Sequence, residues 1–352
     1  MVSRERIKYL SRLKAIACLA VVILHTLGMA MSFSPDKSTA RLLFSLRTLT
    51  LWAVPCFIMS TGALLLDENR DIGLKKLFSK LILRMVLALV IFTFLFRCFD
   101  ALLTDKSFSI GEVLRFTGKS LLYNYSWEHM WYLYLMIALY LMLPAYKAAA
   151  KAMDNKTLCY IIVMMFVMLC ILPAVYTLLL TDENGQSAEV RLVIYISKVF
   201  PLFLFAGYAI EKDKLRVPLF VSVPVVVLSA AAMPMLASYC VKERDMALYG
   251  IINEYHFPVT VIAAAALFAL FKSFDRIDLR LADSFFAQVE KCSFGIYLLH
   301  MVLLKLIFSV WEFDPFRHGG LIMVFLTALT VFIVTFIIVR LLRFVPFVNK
   351  VI

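Results

Sequence analysis

The chain has 352 residues, of which 63% are hydrophobic and only 17% are charged, and its formal net charge is +12. Soluble domains contain roughly 45–50% apolar and about 25% charged residues, so this composition excludes a water-soluble globular protein. The positive charge is explained by membrane topology and contact with anionic lipids, and no nucleic-acid partner is expected.

The apolar residues are grouped in segments of about 20 residues, the length that a helix needs to cross the hydrocarbon core of a bilayer. Ten such segments predict an all-α fold, a polytopic membrane helix bundle with about ten transmembrane helices. The connecting segments are polar and short, so residues 1–352 are expected to form one membrane domain without a separate soluble domain. Amphipathic surface helices are predicted at residues 110–122 and 275–290. The predicted spans are residues 11–32, 48–66, 78–98, 129–147, 157–180, 192–210, 217–240, 256–272, 292–311 and 320–341.

The distribution of Lys and Arg predicts the orientation, because basic residues near helix ends are kept on the cytoplasmic side. With a cytoplasmic N-terminus, 23 of the 36 basic residues fall in cytoplasmic segments and 11 in external segments. Both termini are therefore predicted to be cytoplasmic. The expected location is the cell membrane, as a multi-pass protein of a bacterial cytoplasmic membrane.

His25 is the strongest catalytic candidate among the polar residues inside the predicted spans. Ionisable residues within a membrane face the bundle interior or a wet cavity. His25 follows Lys14 by eleven residues on one helix, about 16 Å at 1.5 Å per residue, so Lys14 marks the cytoplasmic boundary. A neutral imidazole accepts a hydroxyl proton near neutral pH, which predicts a general base. The alternative is a histidine that bonds a carbonyl of a neighbouring helix.

Five segments of the chain form an ordered set, although each alone is only moderately specific. They are YLSRLKAIA at 9–17 followed by VVILH at 21–25, VPCFIMSTG at 54–62, HMWYL at 129–133, FLFAGY at 203–208 and FGIYLLH at 294–300. In this order the set resembles the acyltransferase-3 family of integral membrane acyltransferases. The segments are spaced across nearly the whole chain.

The resemblance implies transfer of an acyl group, commonly acetyl, from cytosolic acyl-CoA to a hydroxyl of a surface or lipid-linked glycan. O-acetylation of a cell-envelope polysaccharide is therefore the expected activity. No tightly bound cofactor is expected, and acetyl-CoA or another acyl-CoA is the donor substrate. The expected partners are acyl-CoA, a glycan or lipid-linked sugar acceptor, and membrane lipids.

The predicted donor site departs from the family pattern at two positions. The family often has Asp where this chain has Ser11. In the basic motif of the third helix, this chain has Leu81 at the place where an Arg is expected. Lys80 and Arg84 are four residues apart, which predicts that they share one helix face. Together with Lys14 they are expected to bind the phosphates of CoA. Ordinary snorkelling charges are the alternative.

The candidates for acceptor binding or a supporting role lie towards the outer side. His129 and Trp131 begin the fourth span, where they are expected to orient a sugar by hydrogen bonding and ring stacking, or to anchor the helix at the interface. Arg47 is a candidate for holding an acceptor or an oxyanion, and His300 for completing the cavity. The full set is Arg47, His129, Trp131, Tyr297, His300 and Glu254.

Other functional classes have weaker support in the sequence. A metal site is not expected, because the five His and seven Cys residues lack HxxxH or CxxC spacing. The chain contains no G-x-S-x-G segment and no Walker-type phosphate loop. A transporter or flippase remains an alternative, because ten helices, Pro-interrupted spans and intramembrane charges also suit transport. A ligand-binding membrane module is a third class.

Overall fold

The computed structural model describes residues 7–70, 72–104, 108–123, 126–179, 199–243 and 246–352, and the regular secondary structure of these ranges is helical. Within them, eight helical segments are long and apolar enough to cross a membrane, one of which, Lys37–Leu65, consists of two consecutive helices, and two shorter apolar helices accompany them. Each of the ten predicted spans overlaps one of these helices. The predicted helical membrane bundle is therefore confirmed. The first residues of the span predicted at 192–210 lie outside the described residues.

The helices are numbered here in chain order. They are α1 (Lys8–Ala30), α2 (Lys37–Thr48), α3 (Ala53–Leu65), α4 (Leu74–Leu103), α5 (Ile110–Tyr123), α6 (Trp131–Ala152), α7 (Asn155–Val175), α8 (Phe200–Glu211), α9 (Leu219–Glu243), α10 (Met246–Ile252), α11 (Pro258–Ser273), α12 (Arg280–Val310), α13 (Pro315–His318), α14 (Leu321–Leu342) and α15 (Val348–Val351).

Helix α1 lies inside the bundle and contacts α2, α3, α11, α12 and α14. Its apolar residues are distributed around the whole helix rather than along one stripe, and most of them are buried. A helix that is apolar on all sides is expected to be enclosed by other helices or by lipid. This central position carries Lys14 and His25 into the interior of the protein.

The surface helix predicted at residues 110–122 is confirmed as α5, but the one predicted at 275–290 is wrong. Residues from Arg280 onwards belong to the continuous helix α12. The charges in its first turns are paired with α1: Asp283 accepts two hydrogen bonds from the buried Arg12 guanidinium, at 2.6 and 2.8 Å. Glu290 pairs with Lys14 at 3.2 Å. Because these charges have protein partners, the helix continues through a stretch that looks like a polar surface segment.

Helices α3 and α8 are in direct backbone contact at two glycines. A Cβ atom added at Gly62 would lie 2.0 Å from the carbonyl oxygen of Leu204, and one added at Gly207 would lie 2.1 Å from that of Met59. Small residues allow membrane helices to approach this closely, where dispersion contacts between the backbones hold them together. The glycines of the VPCFIMSTG and FLFAGY segments therefore have a packing role.

Candidate active site

A cavity of about 1170 Å³ lies among the helices around α1. One half is lined by charged residues from the first turns of α1 and α12 and from α4: Lys14, Arg84, Glu290 and Lys291. The other half is lined by polar and aromatic groups that include Arg47, Glu128, Trp131, Asn253, Glu254, Tyr255 and His256. His25, His129 and His300 also line it. The cavity therefore joins a basic region to an aromatic and polar region, with imidazoles between them.

Three of the cavity histidines form a cluster, although they come from separate parts of the chain. His25 lies on α1, His300 on α12, and His129 in the 3₁₀ turn that precedes α6. The ring centroid of His300 lies 5.2 Å from that of His25 and 5.4 Å from that of His129, and His25 and His129 are 6.3 Å apart. His300 is therefore in contact with both other rings.

Hydrogen bonding fixes one of these imidazoles and the turn that carries another. Nδ1 of His300 lies 3.0 Å from the carbonyl oxygen of Ile296, which can only accept, so Nδ1 is the donor. Its Nε2 and both ring nitrogens of His129 are buried without a hydrogen-bond partner among the described residues. The Tyr297 hydroxyl donates to the His129 carbonyl at 2.7 Å and holds that turn. The cluster therefore presents open hydrogen-bonding atoms to the cavity.

His25 differs from the other two histidines of this cluster because its side chain is half-buried rather than enclosed. No hydrogen bond joins its ring to the rest of the described chain, although the rings of His129 and His300 lie beside it. Its nitrogens are therefore available to a ligand in the cavity, as a general base requires.

All six residues predicted for acceptor binding or support line the cavity: Arg47, His129, Trp131, Tyr297, His300 and Glu254. Nε of Arg47 and Oδ1 of Asn253 are buried there without a partner among the described residues. The Trp131 ring lies 5.4 Å from the Tyr255 ring, and together they form an aromatic wall. The structure brings these residues together, and their roles remain predictions.

Glu254 lies closer to His256 than to the histidine cluster. Its Oε2 atom is 3.9 Å from Nδ1 of His256. Burial lowers the pKa of His256, and the Glu254 carboxylate offsets part of this effect. Burial therefore favours the neutral form of the His256 ring beside Glu254.

Two of the three predicted donor residues line the cavity. Lys14 and Arg84 are on its wall, and Arg84 also lies over the Phe294 ring at 4.8 Å and donates to the Val351 carbonyl at 3.2 Å. Lys80 is exposed and is not on the wall.

The local helix type at Lys80 differs from the regular α-helix that the sequence indicates, and the prediction that Lys80 and Arg84 share one helix face stays a prediction. Residues Leu77–Ile82 form a π-helical turn, in which hydrogen bonds join residues five apart. Lys80 lies in this turn and is exposed, whereas Arg84 follows it in regular α-helix and is half-buried.

Residues 7–342 match the acyltransferase domain that defines the acyltransferase-3 family. The chain belongs to the acyltransferase-3 family. This match covers almost the whole chain and supports a multi-pass membrane acyltransferase, as the five sequence segments predicted. No curated protein and no solved structure matches the chain significantly.

Several residues of the cavity wall, among them Glu290, Lys291 and Tyr255, were missed by the sequence interpretation. Glu290 accepts a hydrogen bond from the Ser11 hydroxyl at 2.7 Å and pairs with Lys14 at 3.2 Å. A carboxylate from α12 thus lies beside the position where Ser11 replaces an aspartate. Glu290 was hidden in the stretch assigned to a surface helix, and only its position ten residues before His300 on one helix connects it with the site.

Proposed function

We propose that the protein transfers an acyl group, acetyl in the first instance, from cytosolic acyl-CoA to a hydroxyl of a surface or lipid-linked glycan. The observation that carries the proposal is that His25, which has no hydrogen bond to the described residues, shares one cavity with basic groups in one half and an aromatic wall in the other. Two substrates can therefore approach one base from opposite halves, and the acyl group crosses without the CoA crossing.

The donor is assigned to the half that contains Lys14, Arg84 and Lys291. CoA carries several phosphate charges, which Lys and Arg bind by charge-assisted hydrogen bonds. Basic residues are in excess in the segments that lie on the same side of the membrane as the N-terminus. This excess supports a cytoplasmic location for this half of the cavity. The charged end of the donor then stays near the interface while the thioester points towards His25.

The acceptor is assigned to the half that contains Trp131 and Tyr255. Sites for small ligands combine apolar walls with a few polar groups that fix orientation, and a sugar presents both a weakly polar ring face and several hydroxyls. The unpartnered Asn253 Oδ1 and Arg47 Nε supply an acceptor and a donor for these hydroxyls. This combination supports a glycan rather than a fully apolar acceptor.

The transfer needs one base and one site for a developing oxyanion. A ring nitrogen of His25 takes the proton of the acceptor hydroxyl, and the oxygen attacks the thioester carbonyl carbon. The new C–O bond forms, the C–S bond breaks, and the proton passes from the imidazolium to the sulfur, so that CoA leaves as a thiol. Arg47 is the cationic donor for the negative oxygen of the tetrahedral intermediate.

The test is a transfer assay with purified protein, radiolabelled acetyl-CoA and membrane glycans. We expect His25→Ala to lower turnover by about 10²-fold or more, in line with the contribution of a general base. His318→Ala is the matched control, because His318 is exposed and does not line the cavity. Wild-type turnover in a folded His25→Ala protein would refute the base, and solute flux without loss of acetyl from CoA would indicate a transporter.

A further inference from the structure

His300 has a buried nitrogen whose chemistry is restricted by the rest of its ring. Because Nδ1 donates to the Ile296 carbonyl, the neutral ring keeps its lone pair on Nε2. Nε2 can therefore only accept a hydrogen bond, and it has no partner among the described residues. Buried acceptors are normally satisfied, so a donor is expected to reach this atom in the working enzyme.

The separation of the His25 and His300 rings fits such a hydrogen bond. Each ring nitrogen lies about 1 Å from its ring centroid, so an in-line N–H···N bond of about 3 Å joins rings whose centroids are roughly 5 Å apart. The observed separation is 5.2 Å, with the two planes inclined by 47°. A rotation of the half-buried His25 ring, which no hydrogen bond from the described part of the chain holds, is enough to align one nitrogen with Nε2.

We infer that His300 is a positioning residue for acyl transfer, whose Nε2 accepts the N–H of His25 and so leaves the other His25 nitrogen unprotonated towards the acceptor hydroxyl. This inference rests on the proposed role of His25. The second ring nitrogen of a catalytic histidine determines its tautomer and orientation. In the Ser-His-Asp triad a carboxylate has this task, whereas here a neutral imidazole with a fixed tautomer performs it.

His129 is the competing donor to His300, since its ring lies 5.4 Å away. The two differ in mobility: His129 is 1% exposed, and its turn is held by the Tyr297 hydroxyl. His25 faces the open cavity. The geometry therefore favours His25 as the group that turns to meet Nε2.

Two amide substitutions separate positioning from packing. In His300→Gln the amide oxygen reaches the former place of Nε2, whereas in His300→Asn the amide reaches only that of Nδ1. We expect the Gln variant to keep kcat within about tenfold of wild type and the Asn variant to lose about 10²-fold, with both KM values unchanged. Equal losses in both folded variants, or an altered acceptor KM with unchanged kcat, would overturn the inference.

A measurement on ¹⁵N-histidine-labelled protein tests the same contact without turnover. The His300 signals are assigned by their absence in the Gln variant. We expect a protonated Nδ1 and an unprotonated Nε2 whose resonance moves when His25 is replaced by Phe but not when His129 is. A protonated Nε2, or a response to His129→Phe alone, refutes the inference even if wild-type transfer is normal. Conversely, a wild-type protein without transfer activity refutes the proposed function, whereas the hydrogen bond itself is still decided by the NMR result.

Discussion

The glycine contact between α3 and α8 allows a quantitative prediction of stability. In Gly62→Ala, the new Cβ would lie 2.0 Å from the Leu204 carbonyl oxygen, whereas ordinary contacts begin at 3.4 Å. The two helices would have to separate by about 1.4 Å, the difference between these distances. The obstructing atom belongs to the backbone, so a rotamer change cannot relieve the overlap.

Overpacking of a close-packed interior costs about 1–3 kcal/mol, and we expect Gly62→Ala near the upper end of this range. A cost of about 3 kcal/mol changes the folding equilibrium by roughly 10²-fold at about 1.4 kcal/mol per factor of ten. The matched control is Gly28→Ala on α1, because no atom lies within 4 Å of the Cβ position there. Replacing an unobstructed helical Gly by Ala is worth about 0.5–1 kcal/mol in favour of the helix.

The assay is thermal unfolding of both variants in the same detergent, together with the yield of monodisperse protein. Gly62→Ala should unfold at a lower temperature than wild type, and Gly28→Ala should unfold at the same or a higher temperature. Equal midpoints for the two variants would show that the α3–α8 contact does not depend on a bare backbone. The packing explanation of the two glycine segments would then be wrong.

Two further predictions concern the donor side and the orientation. Arg84→Gln should raise the KM for acyl-CoA and leave the acceptor KM unchanged, because a contact kept from ground state to transition state contributes uniform binding. Lys80→Gln, on the exposed side of the same helix, should change neither value, and a larger effect there would place the donor outside the cavity. For the orientation, an impermeant thiol reagent applied to intact cells should label Arg317→Cys but not Lys156→Cys, after subtraction of wild-type labelling. The opposite pattern would place the basic half of the cavity on the external side.

The helical bundle and the approximate positions of its helices follow from hydropathy, because each span must match the thickness of the bilayer. The start of α12 does not follow from hydropathy, because Arg280, Asp283 and Glu290 give that segment the composition of a water-exposed one. Two of these charges are neutralised by Arg12 and Lys14. Such pairing joins residues about 270 positions apart in the sequence, and hydropathy of a local window cannot detect it.

The candidate site shows the same limit. His25, His129 and His300 each stand out in the sequence, because imidazoles in apolar spans are costly without a function. Their convergence depends on which helices are neighbours, and local patterns do not encode this. Lys80 is a smaller case: it was expected beside Arg84 at the donor site, but it is exposed and does not line the cavity.

Helices α1 and α12 are joined at two levels, by Lys14 with Glu290 and by His25 with His300. The two levels are eleven residues apart on α1 and ten on α12, about 16 and 15 Å at 1.5 Å per residue. The length of regular helix between the two levels therefore sets the distance between the Lys14–Glu290 pair and the imidazoles. Side chains between these levels can vary without altering that distance. One inserted or deleted residue would turn one level by about 100° relative to the other, so the two contacts together require a fixed number of residues between them.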